Sequence, residues 1–582
     1  MIDASGQTTY VYDPKTDRLT SKQTPFGTIA YVYDNAGDVT SIASSNTNGA
    51  AMAYQYDQLN RLASVTVAGQ APTLYNYDAV GNLSGYSYPN GVTTSFQYDQ
   101  LNRLTELGSQ GPQGAVASYA YTLGQAGNRT GVTELSGRTV SYGYDNLYRL
   151  TSETIANAAG GMNGALGYVY DSVGNRKTLN STLPALVSGV WYYDANDRTT
   201  GITGDTYDAD GNTIWRMGVQ NSYDFENHLV QHGGMTFVYD GDGNRVAKTA
   251  GGVTTSYLVD TLNPTGYAQV LDELQSSSVT RSYAYGLELI SESQLTDAAP
   301  PASPWMTSWY GYDGHGSVRY LTDSTGAVTD TYDYDAFGNL IASTGSTPNL
   351  YLFAGEQFDP YLGLYYNRAR YLDTRLGRFW GMDTWEDESQ DFEPLSQHKY
   401  LYANGDPVNK VDPSGNDAVD ALIGAISSTL NSLANILFRP SSGVQAIMGA
   451  CNNGSRDCTQ SESASVLAAA EKWTGTRYLY GGSSRRGIDC SHLVYQAIVN
   501  SVNPGYPYTS TSAMAANPWL RSIPMSQMWP GDVMLFKGHT GFYGGTGTKT
   551  LFSATSHGVR WANPSSWGTQ IAAFRVRVPC KN

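Results

Sequence analysis

Aromatic residues recur at every second position in short segments along residues 1–365, and each segment runs into a polar turn. Copies of the pattern aromatic-x-Tyr-Asp-x-x-Gly/Asn-Asn/Arg begin at Tyr10, Tyr31, Tyr54, Tyr75, Phe96, Tyr142, Tyr168, Phe237, Tyr310 and Tyr332. A period of two places both rings of a copy on one face of a strand, and the residues after Asp suit a tight turn. Each copy therefore predicts a β-hairpin, which must stack on its neighbours to bury a core.

Successive hairpins joined edge to edge predict one long antiparallel ribbon, and coiling or closing the ribbon would remove its exposed edges. The chain is thus expected to be mainly β, with a coiled or closed ribbon over residues 1–365. Two copies, YDADGN at Tyr207 and YDGDGN at Tyr239, resemble calcium loops. The position where such a loop needs a Glu is Val219 in one and Gly251 in the other, so we expect hairpin turns and no metal there.

The pattern changes after residue 416. Apolar residues near helical spacing predict an amphipathic helix, for which a docking or core role is favoured over membrane passage. These residues are Leu422, Ile426, Leu430, Leu433 and Leu437. A Ser/Gly/Asn-rich linker follows, and residues 464–582 show a compact α+β pattern. We expect helix and linker over 417–463 and a separate small domain over 464–582.

Composition narrows the choice of partners. The net charge of −16 argues against nucleic acid as the main ligand, because duplex binding requires many Lys and Arg contacts to phosphate. No stretch is apolar enough to predict stable membrane insertion, and the first residues lack a signal-peptide pattern. All four cysteines, Cys451, Cys458, Cys490 and Cys580, lie in the last third of the chain, and free thiols are the favoured state in a cytosolic precursor.

Cys490 follows a Gly-rich loop and precedes apolar residues at helical spacing, which predicts a thiol at a helix N-terminus. The free N–H groups and the dipole there favour the nucleophilic thiolate. His539 begins an apolar, strand-like run from which an imidazole could reach that thiol. Taken alone, the pair favours a buried structural Cys and a surface His.

The surrounding motifs favour catalysis. The series YLYGG…IDCSHLVYQA, WPGDVMLF and HTGFYGGTG resembles the NlpC-type cysteine peptidases that cut peptidoglycan stem peptides. The resemblance implies Cys490 as nucleophile, His539 as general base, Asp489 and Ser491 near the oxyanion, and Tyr480 near the substrate. It implies no metal and no cofactor.

Two positions depart from the NlpC-type pattern. His492 stands where the family usually has Gly, and could narrow the cleft. The residue that orients the base is commonly a His on the next strand; that register falls on Ser553 here, with His557 as the other candidate.

The Tyr-Asp copies resemble the repeats of the RHS family, which includes bacterial polymorphic toxins, Tc toxin C components and teneurin shells. In that family the ribbon forms a hollow cocoon around a C-terminal toxin, so the resemblance implies a hollow shell over residues 1–365. A strand residue covers roughly 3.3 by 4.8 Å, so about 400 of them enclose a tight space for the rest of this chain. Part of the payload is therefore expected to be unfolded or to protrude, or a further segment or partner completes the wall.

Residues 366–416 resemble the family's terminal core motif, in NRARYLDTRLGRFWGMD and YLYANGDPVNKVDPSG. The resemblance implies an intramolecular aspartyl protease with Asp383 and Asp412 as carboxylates, Arg370 as supporting cation, and a cut between Asn416 and Asp417. Close carboxylates cannot both ionise, which leaves one acid and one base.

Two departures from the core motif are Met382 in place of Pro and Asn416 in place of an apolar residue. The alternative is that Arg370, Asp383 and Asp412 only cap turns and form ion pairs.

Together these patterns predict a secreted antibacterial toxin, made in the cytoplasm and active in the target-cell periplasm. Expected partners are peptidoglycan, a cognate immunity protein, and a type VI secretion spike or an adaptor or chaperone. Three alternatives stay open: an amidase, acyltransferase or deamidase acting on protein or lipid; a Tc-type C component; and a non-enzymatic adhesion shell.

Overall fold

The computed structural model describes residues 1–200, 204–296, 304–383, 398–416 and 418–421, and shorter stretches farther along. These stretches are 455–457, 466–467, 470, 472, 483–484, 487–488, 490–499, 520–523, 532–536, 539–543, 551–555, 558–562 and 570–579. The chain divides into two compact units, Met1–Trp385 with Glu393–Ser432, and Glu386–Phe392 with Leu433–Asn582. Within the ranges described, no helix is long and apolar enough to cross a membrane.

In the first unit, the first half of the repeat array forms a ribbon of strands that pair antiparallel with their neighbours in the chain. A short pair, β1 (Ile2–Asp3) and β2 (Gly6–Gln7), precedes it. The ribbon comprises β3 (Thr9–Tyr12), β4 (Leu19–Thr24), β5 (Gly27–Tyr33), β6 (Val39–Ser44), β7 (Ala51–Tyr56), β8 (Leu62–Val67), β9 (Thr73–Tyr77), β10 (Leu83–Ser87), β11 (Thr93–Tyr98), β12 (Leu104–Gly111), β13 (Gly114–Leu123), β14 (Arg129–Glu134), β15 (Thr139–Tyr144), β16 (Leu150–Ala156), β17 (Gly164–Tyr170), β18 (Arg176–Ser181) and β19 (Gly189–Val190).

The second half forms a 14-stranded antiparallel sheet, again in chain order. A short pair, β20 (Tyr192–Tyr193) and β21 (Thr199–Thr200), comes before it. The sheet comprises β22 (Thr206–Tyr207), β23 (Thr213–Arg216), β24 (Val219–Tyr223), β25 (Leu229–His232), β26 (Met235–Tyr239), β27 (Arg245–Ala250), β28 (Val253–Asp260), β29 (Gln269–Gln275), β30 (Ser278–Tyr285), β31 (Leu289–Leu295), β32 (Trp305–Tyr312), β33 (Val318–Thr322), β34 (Val328–Tyr334) and β35 (Leu340–Thr344). The expectation of a mainly β ribbon is confirmed.

The Asp of each repeat builds the hairpin turn. In the copy from Tyr54, the backbone N–H groups of Leu59 and Arg61 donate to Asp57 Oδ1 at 2.8 and 3.0 Å, and Asn60 has a φ of 59°. The two calcium-like copies form the same turn. Asn212 N–H donates to Asp208 Oδ1 at 2.8 Å and Asn244 N–H to Asp240 Oδ1 at 2.9 Å. The hairpin prediction therefore holds for them too.

The second tyrosine of the repeat ties neighbouring hairpins together. Its hydroxyl donates to a backbone carbonyl about one repeat earlier, and this link is absent from the sequence-based expectations. The pairs are Tyr33 to Leu19, Tyr56 to Val39, Tyr77 to Leu62, Tyr98 to Leu83, Tyr170 to Leu150, Tyr312 to Leu289 and Tyr334 to Val318, at 2.6–2.9 Å. The first tyrosine packs in the core, as Tyr31 and Tyr54 do. The aromatic pair thus fills the core and links the repeats.

The terminal segment of the first unit is an irregular set of short strands and turns. They are β36 (Gln357–Asp359), β37 (Leu364–Asn367), β38 (Arg370–Asp373), β39 (Arg378–Phe379), β40 (Lys410–Val411) and β41 (Val419–Asp420), with 3-10 turns at Phe353–Gly355 and Ala403–Gly405 and another at Ala159–Gly161 in the ribbon. Arg245 Nη1 donates to the Tyr371 hydroxyl at 2.9 Å, and Arg216 pairs with Asp373 at 3.0 Å. The segment is therefore fastened to the 14-stranded sheet by buried cations.

The described parts of the second unit include the α-helix α1 and a seven-stranded antiparallel sheet in the order β42-β50-β46-β47-β48-β49, with β45 beside β50. The elements are β42 (Ser455–Asp457), β43 (Ser483–Ser484), β44 (Gly487–Ile488), α1 (Cys490–Val499), β45 (Leu520–Ile523), β46 (Val533–Phe536), β47 (His539–Tyr543), β48 (Leu551–Thr555), β49 (Gly558–Ala562) and β50 (Gln570–Pro579). Helix α1 packs against β47 and β48. The amphipathic helix expected from Leu422 to Leu437 lies outside the described residues.

Candidate functional site

The three residues singled out in the terminal core motif lie together. Arg370 is the first residue of β38, and its Nη2 lies 2.9 Å from Asp383 Oδ2 and 3.5 Å from Asp412 Oδ2. One guanidinium nitrogen thus bridges two carboxylates that are far apart in sequence. This arrangement fits both the paired-carboxylate site and the alternative of a structural ion-pair cluster.

The Arg370 side chain is held on every side. Its Nη1 donates to the Lys399 carbonyl at 3.0 Å, its Nε donates to the Gly415 carbonyl, and its guanidinium carbon lies 3.9 Å from the centre of the Phe379 ring. The Asp383 N–H donates to the same Lys399 carbonyl at 2.7 Å. Because Gly415 immediately precedes Asn416, the guanidinium also fixes the backbone next to the predicted cut.

Asp412 caps the turn that carries the predicted cut. Its Oδ1 accepts the N–H of Gly415 at 2.8 Å, the N–H of Asn416 at 3.1 Å and the Ser414 hydroxyl at 3.1 Å. Asn416 is therefore bound through its backbone, so an Asn in place of an apolar residue leaves the turn intact. Residue Asp417, on the other side of the bond, lies outside the described residues.

The two carboxylates have different environments. The Asp412 side chain is 3% exposed and that of Asp383 is 14% exposed. Burial raises the pKa of Asp412 above its ordinary value; Arg370 opposes this rise most strongly, and Asp383 adds to it. A carboxyl that keeps its proton beside a more exposed carboxylate can supply an acid and a base to one reaction.

A second buried arginine, not expected from the sequence, supports the same turn. Arg368 Nη1 donates to both carboxylate oxygens of Glu356 at 2.9 and 3.0 Å and also to the Pro413 carbonyl. Its Nε donates to the Ala268 carbonyl at 3.0 Å. The only signal for it was the alternate spacing of two arginines in NRAR, where Arg368 and Arg370 flank Ala369.

In the second unit, the predicted nucleophile and base begin adjacent elements. Cys490 is the first residue of α1 and His539 the first of β47, as expected, and α1 packs on β47. The predicted apolar face of the helix is confirmed, because Leu493, Val494, Ala497 and Ile498 are fully buried.

The other payload residues are placed less completely. Ser491 is the second residue of α1, and Ser553 lies in β48, the strand next to β47, paired with Arg560 of β49. Of the candidates for the third residue, Ser553 is thus on the strand expected for it. Tyr480, Asp489 and His557 lie outside the described residues.

A buried ion pair that was not expected braces the β46–β47 hairpin at the end away from His539. Arg575 of β50 binds Asp532 through Nη2 to Oδ2 at 2.9 Å and through Nε to Oδ1 at 3.2 Å. The Asp532 carbonyl accepts the Tyr543 N–H at 2.8 Å. Asp532 therefore links β50 to the end of β47, and its position in WPGDVMLF was the available signal.

Among the residues described, one cluster of possible metal ligands is Asp224, Glu226 and His228. The backbone N–H groups of Glu226 and His228 donate to Asp224 Oδ1, and His228 Nδ1 lies 3.1 Å from Asp224 Oδ2. This is the repeat turn with His in the place that Arg or Asn takes elsewhere. The turn alone explains the cluster.

Comparison with known families separates the chain in the same way. The model of the Teneurin YD-shell family matches residues 8–122 and 125–408, and the model of the NlpC/P60 family matches residues 475–578. The probable endopeptidase NlpC of Escherichia coli is 30% identical over 110 residues, which covers 17% of this chain and 69% of that protein.

Other relatives match different shares of the chain. The tRNA3(Ser)-specific nuclease WapA of Bacillus spizizenii is 34% identical over 264 residues, 43% of this chain and 11% of that protein. This chain thus spans about a tenth of the length of the first curated relatives it matches. The crystal structure of TcdB2-TccC3-Cdc42 aligns with a TM-score of 0.57 at 18% identity, over 71% of this chain and 23% of that one, and shares the fold. The chain therefore belongs to the Teneurin YD-shell family of RHS-type proteins and carries an NlpC/P60 family domain in its last quarter.

Proposed function

We propose that this chain is an antibacterial toxin whose NlpC/P60 domain cuts the stem peptides of bacterial peptidoglycan. Its family makes the domain a cysteine peptidase or hydrolase. The observation that supports catalysis most directly is the packing of α1, which begins at Cys490, on β47, which begins at His539. A helix N-terminus favours the thiolate, and the adjacent strand brings the base within the same part of the fold.

The proposed reaction follows from these residues. The Cys490 thiolate attacks the peptide carbonyl, and His539 gives its proton to the departing amine. Water then hydrolyses the thioester with His539 as base. Backbone N–H groups near Asp489 and Ser491 stabilise the oxyanion, Tyr480 contacts the substrate, and Ser553 or His557 orients the imidazole.

The toxin assignment also rests on the relatives. Three of them are named as tRNA nucleases, but only about a tenth of their length is matched, and the NlpC/P60 model matches residues 475–578 of this chain. The net charge of −16 also disfavours a polyanionic substrate. We therefore propose a peptide substrate and no nucleic acid partner.

We further propose that the chain cuts itself between Asn416 and Asp417. Asp412, whose pKa is raised by burial, protonates the scissile group, while Asp383 accepts a proton from water. The water oxygen bonds to the Asn416 carbonyl carbon, the peptide bond breaks, and the nitrogen leaves as the amine of Asp417. Arg370, held by the Lys399 and Gly415 carbonyls, keeps both carboxylates in place.

The proposal includes a route and partners. The protein is made in the cytoplasm and delivered by a type VI secretion system, with a spike protein or an adaptor or chaperone as loading partner. The payload acts in the periplasm of the target cell, where a cognate immunity protein protects the producer's kin.

The payload is tested by expressing residues 417–582 in the bacterial cytoplasm or with a periplasmic signal, as wild type, Cys490→Ala or Cys580→Ala. Lysis is expected only for the form carrying the periplasmic signal and only when Cys490 is present. Purified muropeptides should likewise be cut only when Cys490 is present. The matched Cys580→Ala variant should stay active. Killing from the cytoplasm would favour an amidase, acyltransferase or deamidase acting on protein or lipid, and killing without Cys490 would exclude the mechanism.

Self-cleavage is tested on the full chain with Asp383→Asn and Asp412→Asn. Each variant should remain at 62.9 kDa on a denaturing gel, whereas the parent and the exposed-site control Asp210→Asn should yield two fragments. Efficient cutting by either variant would show that Arg370, Asp383 and Asp412 have only a structural role.

A further inference from the structure

Arg129, the first residue of β14, gathers backbone carbonyls from three distant segments of the first unit. Its Nη1 donates to the Val408 carbonyl at 3.1 Å, and its Nη2 donates to the carbonyls of Gly314 at 2.6 Å and Ala421 at 3.1 Å. The side chain is buried, and its guanidinium lies 4.8 Å from the centre of the Tyr121 ring. Gly314 and Val408 thus hold the arginine in position independently of Ala421.

Ala421 lies just beyond the proposed cut, on the payload side. It follows β41, which pairs antiparallel with β40 in the register Lys410 to Asp420 and Val411 to Val419. Its N–H donates to the Asn409 carbonyl at 2.7 Å, and the residue is 4% exposed. The first residues of the payload are therefore bound to the shell through both the N–H and the carbonyl of Ala421.

The shell residue that accepts the Ala421 N–H is itself held by hydrogen bonds. Asn409 Oδ1 accepts the Arg129 N–H at 2.8 Å, and Asn409 Nδ2 donates to Asp406 Oδ1 at 2.8 Å. The same residues that bind Ala421 are thus fastened to β14 and to the terminal core motif. A preformed strand edge with a buried cation at its end is a suitable acceptor for an extended peptide.

From this geometry we propose that Arg129 and the edge of β40 form a binding site for residues 418–421 that retains the payload after cleavage. The inference rests on the proposed cut at Asn416–Asp417. Before the cut, β40 and β41 are two arms of one hairpin, held at high effective concentration by the connecting loop. After the cut the same pairing becomes an association between two chains, and these backbone bonds set how fast the end departs.

The bonds to Ala421 from Arg129 and Asn409, and the pairing of β40 with β41, all involve the peptide backbone of the payload end. Arginine suits the position because one planar guanidinium can donate to several carbonyls at once, which the point charge of a lysine does not reproduce. When the end departs, Nη2 keeps its bond to Gly314, so the arginine is not left as an unpaired buried cation. Release therefore costs the shell little, and the bound state is reversible.

The test must separate retention from self-cleavage. In the full chain carrying Asp383→Asn, a recognition sequence for a site-specific protease is inserted between Asn416 and Asp417, so that the added protease makes the cut. Hydrogen exchange of the peptide containing Ala421 is then compared before and after cutting, in the parent, in Arg129→Lys and in Ala421→Pro. Arg103→Ala, which removes a partly exposed arginine paired with Asp99, is the control.

In the parent and the control, the Ala421 peptide should stay protected after the cut. Loss of one hydrogen bond to a charged donor should speed its exchange in Arg129→Lys by roughly 10- to 100-fold. Ala421→Pro removes the N–H that donates to the Asn409 carbonyl and leaves Arg129 in place, so it should speed release of the cut payload on gel filtration. This variant decides the question if Arg129→Lys fails to fold. Loss of protection in the cut parent, or retention unchanged in both variants, would overturn the proposal. Failure of self-cleavage alone would appear separately, as an uncut chain of 62.9 kDa when Asp383 is intact and no protease is added.

Discussion

Gly415 is the position where the smallest change should most sharply slow the proposed self-cleavage. It has a φ of +76°, and a Cβ added there would lie 2.2 Å from the Asn367 carbonyl oxygen and 3.0 Å from the Arg370 N. Both neighbours are backbone atoms, which cannot rotate away as a side chain would. Gly415→Ala therefore has to move the turn itself.

The expected magnitude has two parts. A left-handed backbone costs an alanine about 1–2 kcal/mol, which is roughly 5- to 30-fold in an equilibrium constant. Relieving the contact with Asn367 requires a shift on the order of 1 Å, and misplacement of that size can cost roughly 100-fold in rate. The shift also pulls the Gly415 N–H from Asp412 Oδ1, now 2.8 Å away. Together the two effects should slow self-cleavage by roughly 500- to 3,000-fold.

The assay follows loss of the 62.9 kDa chain with time on a denaturing gel, beginning at synthesis. Gly137→Ala is the matched control, because Gly137 has a φ of +85° and an added Cβ would meet nothing within 4 Å. This variant has the free-energy cost of an alanine in a left-handed backbone conformation, but no steric clash of the added Cβ. Gly137 also lies in a hairpin turn. Cleavage of Gly415→Ala at the parent rate, or equal slowing in both variants, would refute the assignment of this turn as the substrate segment.

Two further predictions concern the stability of the YD-repeat sheets. Burial raises the pKa of Glu292 from 4.5 to about 7, and the nearby Arg281 opposes this rise. The neutral form of Glu292 therefore contributes stability that is fully present below about pH 4.5 and is lost as the pH rises through 7. Glu292→Gln should remove up to about 3 kcal/mol of that pH dependence in urea unfolding, and parallel curves for parent and variant between pH 4.5 and 8 would contradict this. Tyr334→Phe removes the hydrogen bond from the Tyr334 hydroxyl to the Val318 carbonyl and should lower the free energy of unfolding by about 1 kcal/mol. The control Tyr148→Phe, at an exposed position, should leave the free energy of unfolding unchanged. Equal effects of the two variants would show that the Tyr334 hydrogen bond contributes no stability.

The features predicted correctly from the sequence are local. In the repeat from Tyr54, the turn is closed by Asp57, which accepts N–H groups two and four residues later. The helix that begins at Cys490 follows from the spacing of the apolar residues behind it. Such features depend on interactions within a few residues, so the local side-chain pattern is enough to predict them. The motifs that resemble known families also located the two candidate sites.

Features missed from the sequence depend on contacts between distant segments. The positions of Arg368 in NRAR and Asp532 in WPGDVMLF do not indicate their partners, yet Arg368 binds Glu356 and Pro413, and Asp532 binds Arg575. Their roles depend on which strands become neighbours. That is set by packing of the whole sheet.

The sequence by itself determined the period of the hairpins, the capped turns, and the positions of Cys490 and His539 at the starts of a helix and a strand, because these follow from side-chain spacing along a short stretch. Only the tertiary structure decided that Asp383 and Asp412 meet on Arg370, that burial raises the pKa of Asp412, and that Arg129 receives Ala421 from 292 residues away. Burial and long-range contacts arise only when many strands pack together, and one strand's spacing cannot specify them.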